Sequence, residues 1–83
     1  MNPVSGKLTV TILSANLTRD VCTFGTMDPK CVLRISSRKI FNSSVKTNEG
    51  KHPLWNEIAV FDVESENSLN VQVVHEKDVV LLI

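Results

Sequence analysis

Six basic side chains, Lys30, Arg34, Arg38, Lys39, Lys46 and Lys51, fall within one stretch of the chain that holds Glu49 as its single acid. From Glu57 to Asp78 the balance reverses, with six acids against Lys77 alone. The chain as a whole is formally neutral, so its charge is polarised, and the basic middle is suited to drawing phosphate-bearing partners. Two carboxylates, Asp20 and Asp28, stand in a segment from Thr18 to Pro29 that is rich in turn-favouring residues and has no helical periodicity. A loop that long is uncommon in a compact domain and is often functional, so it is the first place to look for a site. Other chemistry finds little material. His52 and His75 are far apart, no Ser/His/Asp order or carboxylate pair is evident, and no Gly-rich loop leads from a strand into a helix, which argues against an enzyme. Nucleic-acid binding lacks both a strongly basic balance and aromatics for stacking. Cys22 and Cys31 form no CxxC pair and have no Cys/His spacing suited to zinc, and they read as two thiols in a reducing compartment.

These residues must be positioned by strands. Leu8 to Leu13 alternates apolar and β-branched polar residues, the period-2 signature of a half-buried strand. Cys31, Leu33 and Ile35 alternate with Val32, Arg34 and Ser36 in a second, which sets Lys30 and Arg34 on one face. A third runs from Lys39 to Lys46 with Phe41, Ser43 and Val45 on one side, and after a turn-rich connection a fourth runs from Trp55 to Val63. Leu69, Val71 and Val73 mark a fifth, and Val79 to Ile83 begins a sixth. That last run is apolar without alternation, which fits a segment buried on both sides. Five or six short strands with almost no helical pattern argue an all-β chain, an antiparallel β-sandwich, and 83 residues fit one domain spanning 1–83.

The order Gly6-Lys7-Leu8-Thr9-Val10, Ala15-Asn16-Leu17, Asp20, Gly25-Thr26-Met27-Asp28-Pro29, Ser43-Ser44-Val45-Lys46 and His52-Pro53-Leu54-Trp55-Asn56-Glu57 resembles the C2 domain family in its type II permutation. The resemblance covers nearly the whole chain, with His52 in place of the family's usual asparagine. Pro29 fixes its own φ and forces extended structure on Asp28, holding that carboxylate at a loop-to-strand junction. Trp55 offers a large apolar body for an inter-sheet core, with an indole N–H that needs a partner, so the segment around it reads as a folding signature.

The resemblance implies that Asp20 and Asp28 match calcium ligands. It also implies that further carboxylates should follow the fifth strand, at two alternate positions that here carry His75 and Lys77. A lysine ammonium there adds positive charge beside a dication, and Glu76 and Asp78 are one residue out of phase, so that only a bend in the loop recruits them. What is left for calcium is a weak or degenerate site of Asp20, Asp28 and Asp78, or Glu76. The resemblance further implies a polybasic, lipid-binding patch of Lys30, Arg34, Arg38, Lys39 and Lys46, although a lysine-rich strand face is also ordinary protection against aggregation. Two functions follow as expectations. One is a non-catalytic module that docks on anionic phospholipid membranes with little or no calcium dependence. The other is a structural or scaffolding subunit that packs against protein partners. No secretory signal or myristoylation pattern is visible at Met1 to Lys7, which together with the cysteines points to an intracellular, cytoplasmic or peripheral membrane setting. The family's sandwich has eight strands, so the final two are expected to be missing and the region Val79 to Ile83 to be covered by further sequence or another chain.

Overall fold

The computed structural model describes residues 6–21 and 25–82. It contains β1 (Gly6–Ser14), β2 (Pro29–Ser36), β3 (Lys39–Asn42), β4 (Leu54–Val63), β5 (Asn70–His75) and β6 (Asp78–Leu82). β1 and β4 form one antiparallel sheet, and a second antiparallel sheet runs in the order β3-β2-β5-β6. The alternation in the sequence explains which faces meet. Cys31, Leu33 and Ile35 of β2 and Val73 of β5 are buried against Trp55, Ala59, Phe61 and Val63 of β4 and Ile12 of β1. The intervening residues, Arg34 on β2 and Ile58 and Val60 on β4, face outward. This is the all-β sandwich that the period-2 pattern implies.

Two local irregularities have visible causes. Between Ile12 and Ser14 the register with β4 shifts by one residue, and within that span Asn56 takes φ +52°, a left-handed conformation that asparagine tolerates better than most side chains. In the turn before β4, Gly50 has φ +61°, and a Cβ there would lie 2.9 Å from Thr26 Cγ2. That close approach lets the Gly50 N–H reach Met27 O at 3.0 Å and seat the fully buried Met27 beneath the first loop.

The third strand stops at Asn42, short of the expected Lys46. The reason lies in the opposite sheet. The Cys31 N–H donates to Ser43 Oγ at 2.7 Å and Ser44 is held by Trp55 and Glu57 of β4, so the regular ladder ends at Asn42 although the Ser43 and Lys46 N–H groups still reach Cys31 O and Pro29 O of β2 at 2.8 and 2.9 Å. The expectation of a sixth strand buried on both sides also needs correction. Val80 is buried, but Val79 and Leu82 are 39% and 62% exposed, because β6 is an edge strand whose outer face meets solvent. Ile83 and Cys22 lie outside the described residues.

Candidate docking face

β2 and β5 carry the outer face of the four-stranded sheet. On β2, Lys30, Val32 and Arg34 point outward between the buried Cys31, Leu33 and Ile35. Arg34 is paired in register with Asn70 of β5 and with Ile40 of β3. Beside it lies a mostly polar hollow of about 330 Å³ lined by Arg34, Ser36, Ser37, Ser68, Asn70 and Gln72, with Ile35 as its one apolar member. A guanidinium surrounded by hydroxyls and amides, with no carboxylate in the lining, is a donor-rich setting for an anion. Ser37, Ser68, Asn70 and Gln72 could not be read as partners of Arg34 beforehand, because they join it only once strand order and register are fixed.

The other basic residues are distributed unevenly around this hollow. Arg38 is exposed in the turn between β2 and β3. Lys46 is half-buried after β3 and close enough to Glu57 to help hold that carboxyl low. Lys39 is committed elsewhere, since its ammonium lies 2.9 Å from Glu66 Oε2 and donates to the Asp62 carbonyl at 2.6 Å. The bond to Glu66 raises the Lys39 ammonium above its ordinary value. Glu66 in turn is held down to about 2, chiefly by backbone N–H donation from Glu64 and then by Lys39. The patch expected from sequence is therefore divided, with Lys39 serving as a strap to the loop after β4.

At the loop end of the same sheet the candidate ion ligands separate. Asp28 and Glu76 line one hollow of about 200 Å³ together with Lys30 and Val45. Glu76 gets there because it adopts φ +53° at the start of the β5–β6 turn, the bend needed to bring it into play. Neither Asp20 nor Asp78 lines that hollow, and among the described residues no group of three or more His, Cys, Asp or Glu side chains is gathered around a common point. Asp28 is already in use, its Oδ1 accepting the Asn48 N–H at 2.8 Å. His75 turns inward, is buried, and accepts the Asp28 N–H on Nδ1 at 2.9 Å, which places its proton on Nε2. Calcium calls for six to eight oxygens from several loops. Two carboxylates that share a hollow with a lysine do not fit that requirement. The described chain instead braces its first loop with Asp28–Asn48 and His75–Asp28 hydrogen bonds.

The remaining signature residues are structural. Trp55 Nε1 donates to Ser44 O at 3.1 Å, the Ser44 N–H donates to Glu57 Oε1 at 3.1 Å, and Ser44 Oγ donates to Glu57 Oε2. These bonds from Ser44 pull the Glu57 carboxyl below the usual range. Cys31 is a buried free thiol whose ionisation is pushed up by burial, with Glu57 adding to the effect. His52 donates from Nδ1 to Asn16 Oδ1 at 2.7 Å and ties the turn before β4 to the end of β1. No helix among the described residues is long and apolar enough to cross a membrane.

Comparison with known proteins agrees with this architecture. A search of curated protein sequences finds no match. A solved structure of a C2 domain-containing protein, whose gene is described as elicitor-responsive, superposes with a TM-score of 0.73 at 28% sequence identity. The match covers 96% of this chain and 62% of that one, so the chain spans less than two thirds of the length of the structure it resembles. The family model for the C2 domain matches residues 6–80. With the sandwich, the signature residues and both comparisons in agreement, the chain belongs to the C2 domain family, whose members are generally non-catalytic membrane-targeting or interaction modules.

Proposed function

We propose that this chain is a module that docks on anionic phospholipid surfaces through the outer face of its four-stranded sheet, without calcium. The observation that carries this reading is Arg34, exposed where that face meets the β2–β3 turn, beside a hollow lined mostly by hydroxyls and amides with no acid among them. Lys30 shares the face four residues away, about 13 Å at the usual strand rise. Register places Ile40 next to Arg34, while Val79 and Leu82 lie two strands away on the same face, level with Lys30 and Val32, so exposed apolar side chains share the face with both cations. A cation with apolar neighbours suits the headgroup layer, where charge meets phosphate and aliphatic side chains enter the acyl boundary.

Co-sedimentation with phosphatidylserine vesicles tests the reading. Binding should weaken as salt is raised. At about 1 kcal/mol for each charge near the surface, the two-unit change in Arg34→Glu should weaken it roughly thirtyfold. Lys39→Ala should leave binding nearly unchanged, because that ammonium is held by Glu66. Absence of binding at low salt would end the lipid reading.

A further inference from the structure

The smaller sheet has an outer face of its own. Register in the β1–β4 pair sets Lys7 beside Asp62, Thr9 beside Val60 and Thr11 beside Ile58, alternating with the inward Leu8, Val10 and Ile12. Ile58 and Val60 are 61% and 56% exposed, and Leu13 and Leu54, at the far end of the same strand pair, are 59% and 54% exposed. Lys7 and Asp62 close the other end with an ion pair. Thr9, Thr11, Ile58 and Val60 between them carry no charge. This face looks away from the interior, so its exposure owes nothing to what lies along the other edge of β1. A contiguous exposed apolar patch on a small domain marks a contact surface.

We propose that two copies of this chain pair across this face, and that the dimer so formed bridges two anionic membranes. The ladder itself selects a second copy as the occupant. A two-fold axis parallel to the strands lays β1 of one copy over β4 of the other. Each outward side chain then stands over its ladder partner from the other copy, Lys7 over Asp62, Thr9 over Val60 and Thr11 over Ile58, and every pair forms twice. Opposite charges meet at the end, and a smaller side chain meets a larger apolar one in the middle. Stacked sheets lie about 10 Å apart and align to within about 30°, which keeps these pairs in reach over so short a face. A lipid surface suits this face poorly, because its one cation is neutralised by Asp62. The face is two strands wide and about 20 Å long, short of the roughly 800 Å² per partner of a standard stable interface. The pairing is therefore weak in solution and strengthens where chains are crowded on a surface. It leaves the larger sheets as the outer layers of a four-layer stack, so the two Arg34 faces point in opposite directions about 30 Å apart. The bridging rests on the lipid reading above, whereas the pairing does not.

Analytical sedimentation should show reversible dimerisation between about 10 μM and 1 mM chain. Lys7→Asp places two acids at the end of the face, and Asp62→Lys places two cations there. Each alone should weaken dimerisation at least about tenfold, and an equimolar mixture should restore it, because the opposite charges then meet only between copies. The ion pair is 70% and 76% exposed, so losing it costs the fold little. The neutral double change Ile58→Thr with Val60→Thr should bind phosphatidylserine vesicles as the unsubstituted chain does, yet dimerise at least about tenfold more weakly and no longer cluster the vesicles, read by turbidity. Arg34→Glu should dimerise normally while losing vesicle binding. A chain that stays monomeric at millimolar concentration overturns the proposal, as does a mixture that dimerises no better than its parts. Clustering that survives in the threonine variant overturns it too, and so does a dimer that binds vesicles without clustering them. Dimerisation with no vesicle binding by the unsubstituted chain ends the lipid reading and the bridging with it, and leaves the pairing standing.

Discussion

The indole N–H of Trp55 donates to the carbonyl of Ser44 at 3.1 Å, and two residues along the same strand Glu57 accepts the N–H of that serine. One strand of the smaller sheet therefore grips a single residue of the segment that follows β3 along the edge of the larger one. Trp55→Phe keeps most of the apolar ring but removes the donor and some volume. It should cost about 2 kcal/mol in urea unfolding followed by circular dichroism. Glu57→Gln should be milder than Glu57→Ala, since the amide oxygen can still accept from Ser44.

Calcium should leave the protein's stability unchanged. A bound ligand at 100 times its dissociation constant adds about 2.7 kcal/mol, so thermal unfolding with and without millimolar calcium is a direct check. An upward shift that disappears in Asp28→Asn would show that the loop gathers ligands after all.

Acid should loosen the strap between Lys39 and the loop after β4. Glu66 has a folded value of about 2 against an ordinary 4.5, so its contribution is present above about pH 4.5 and fades as pH falls towards 2. Lys39 is raised, so its share is complete below the ordinary lysine range and is lost as pH rises through the folded value. Glu66→Gln should flatten the wild-type loss of stability between pH 4.5 and 2, read by urea unfolding at each pH.

Gly50 should resist replacement. With φ +61° and Thr26 Cγ2 at 2.9 Å from a new Cβ, Gly50→Ala combines left-handed strain with a clash. The expected cost is about 1–3 kcal/mol in thermal or urea unfolding, and Thr26→Ser in the same chain should recover part of it.

Much of the fold was legible because period-2 alternation is a local signal. Leu8 to Leu13, Cys31 to Ser36 and Trp55 to Val63 each announce a strand and its buried face. The limit of β3 was not legible, since it depends on Ser44 being captured by residues eleven and thirteen positions later. The exposure of Val79 and Leu82 escaped for a similar reason, as an apolar run does not say whether its strand is central or at an edge. At the candidate site, Arg34 was visible but its hollow was not, because Asn70 and Gln72 reach it only through the β2–β5 register. Lys39 looked equivalent to Arg34 until Glu66, 27 residues away in sequence, was placed beside it.

The sealed thiol of Cys31 has a use as a clock. It sits on β2 with 3% of its surface exposed, and its ionisation is suppressed by burial. A thiol reagent attacks only a thiolate it can reach, so the side chain is silent while the two layers stay together. In a Cys22→Ser background, the rate at which Cys31 becomes alkylated counts the moments when the layers part, and it does so in native buffer without denaturant. A ligand that holds the layers closed slows that count, and one that binds only an outer surface leaves it unchanged.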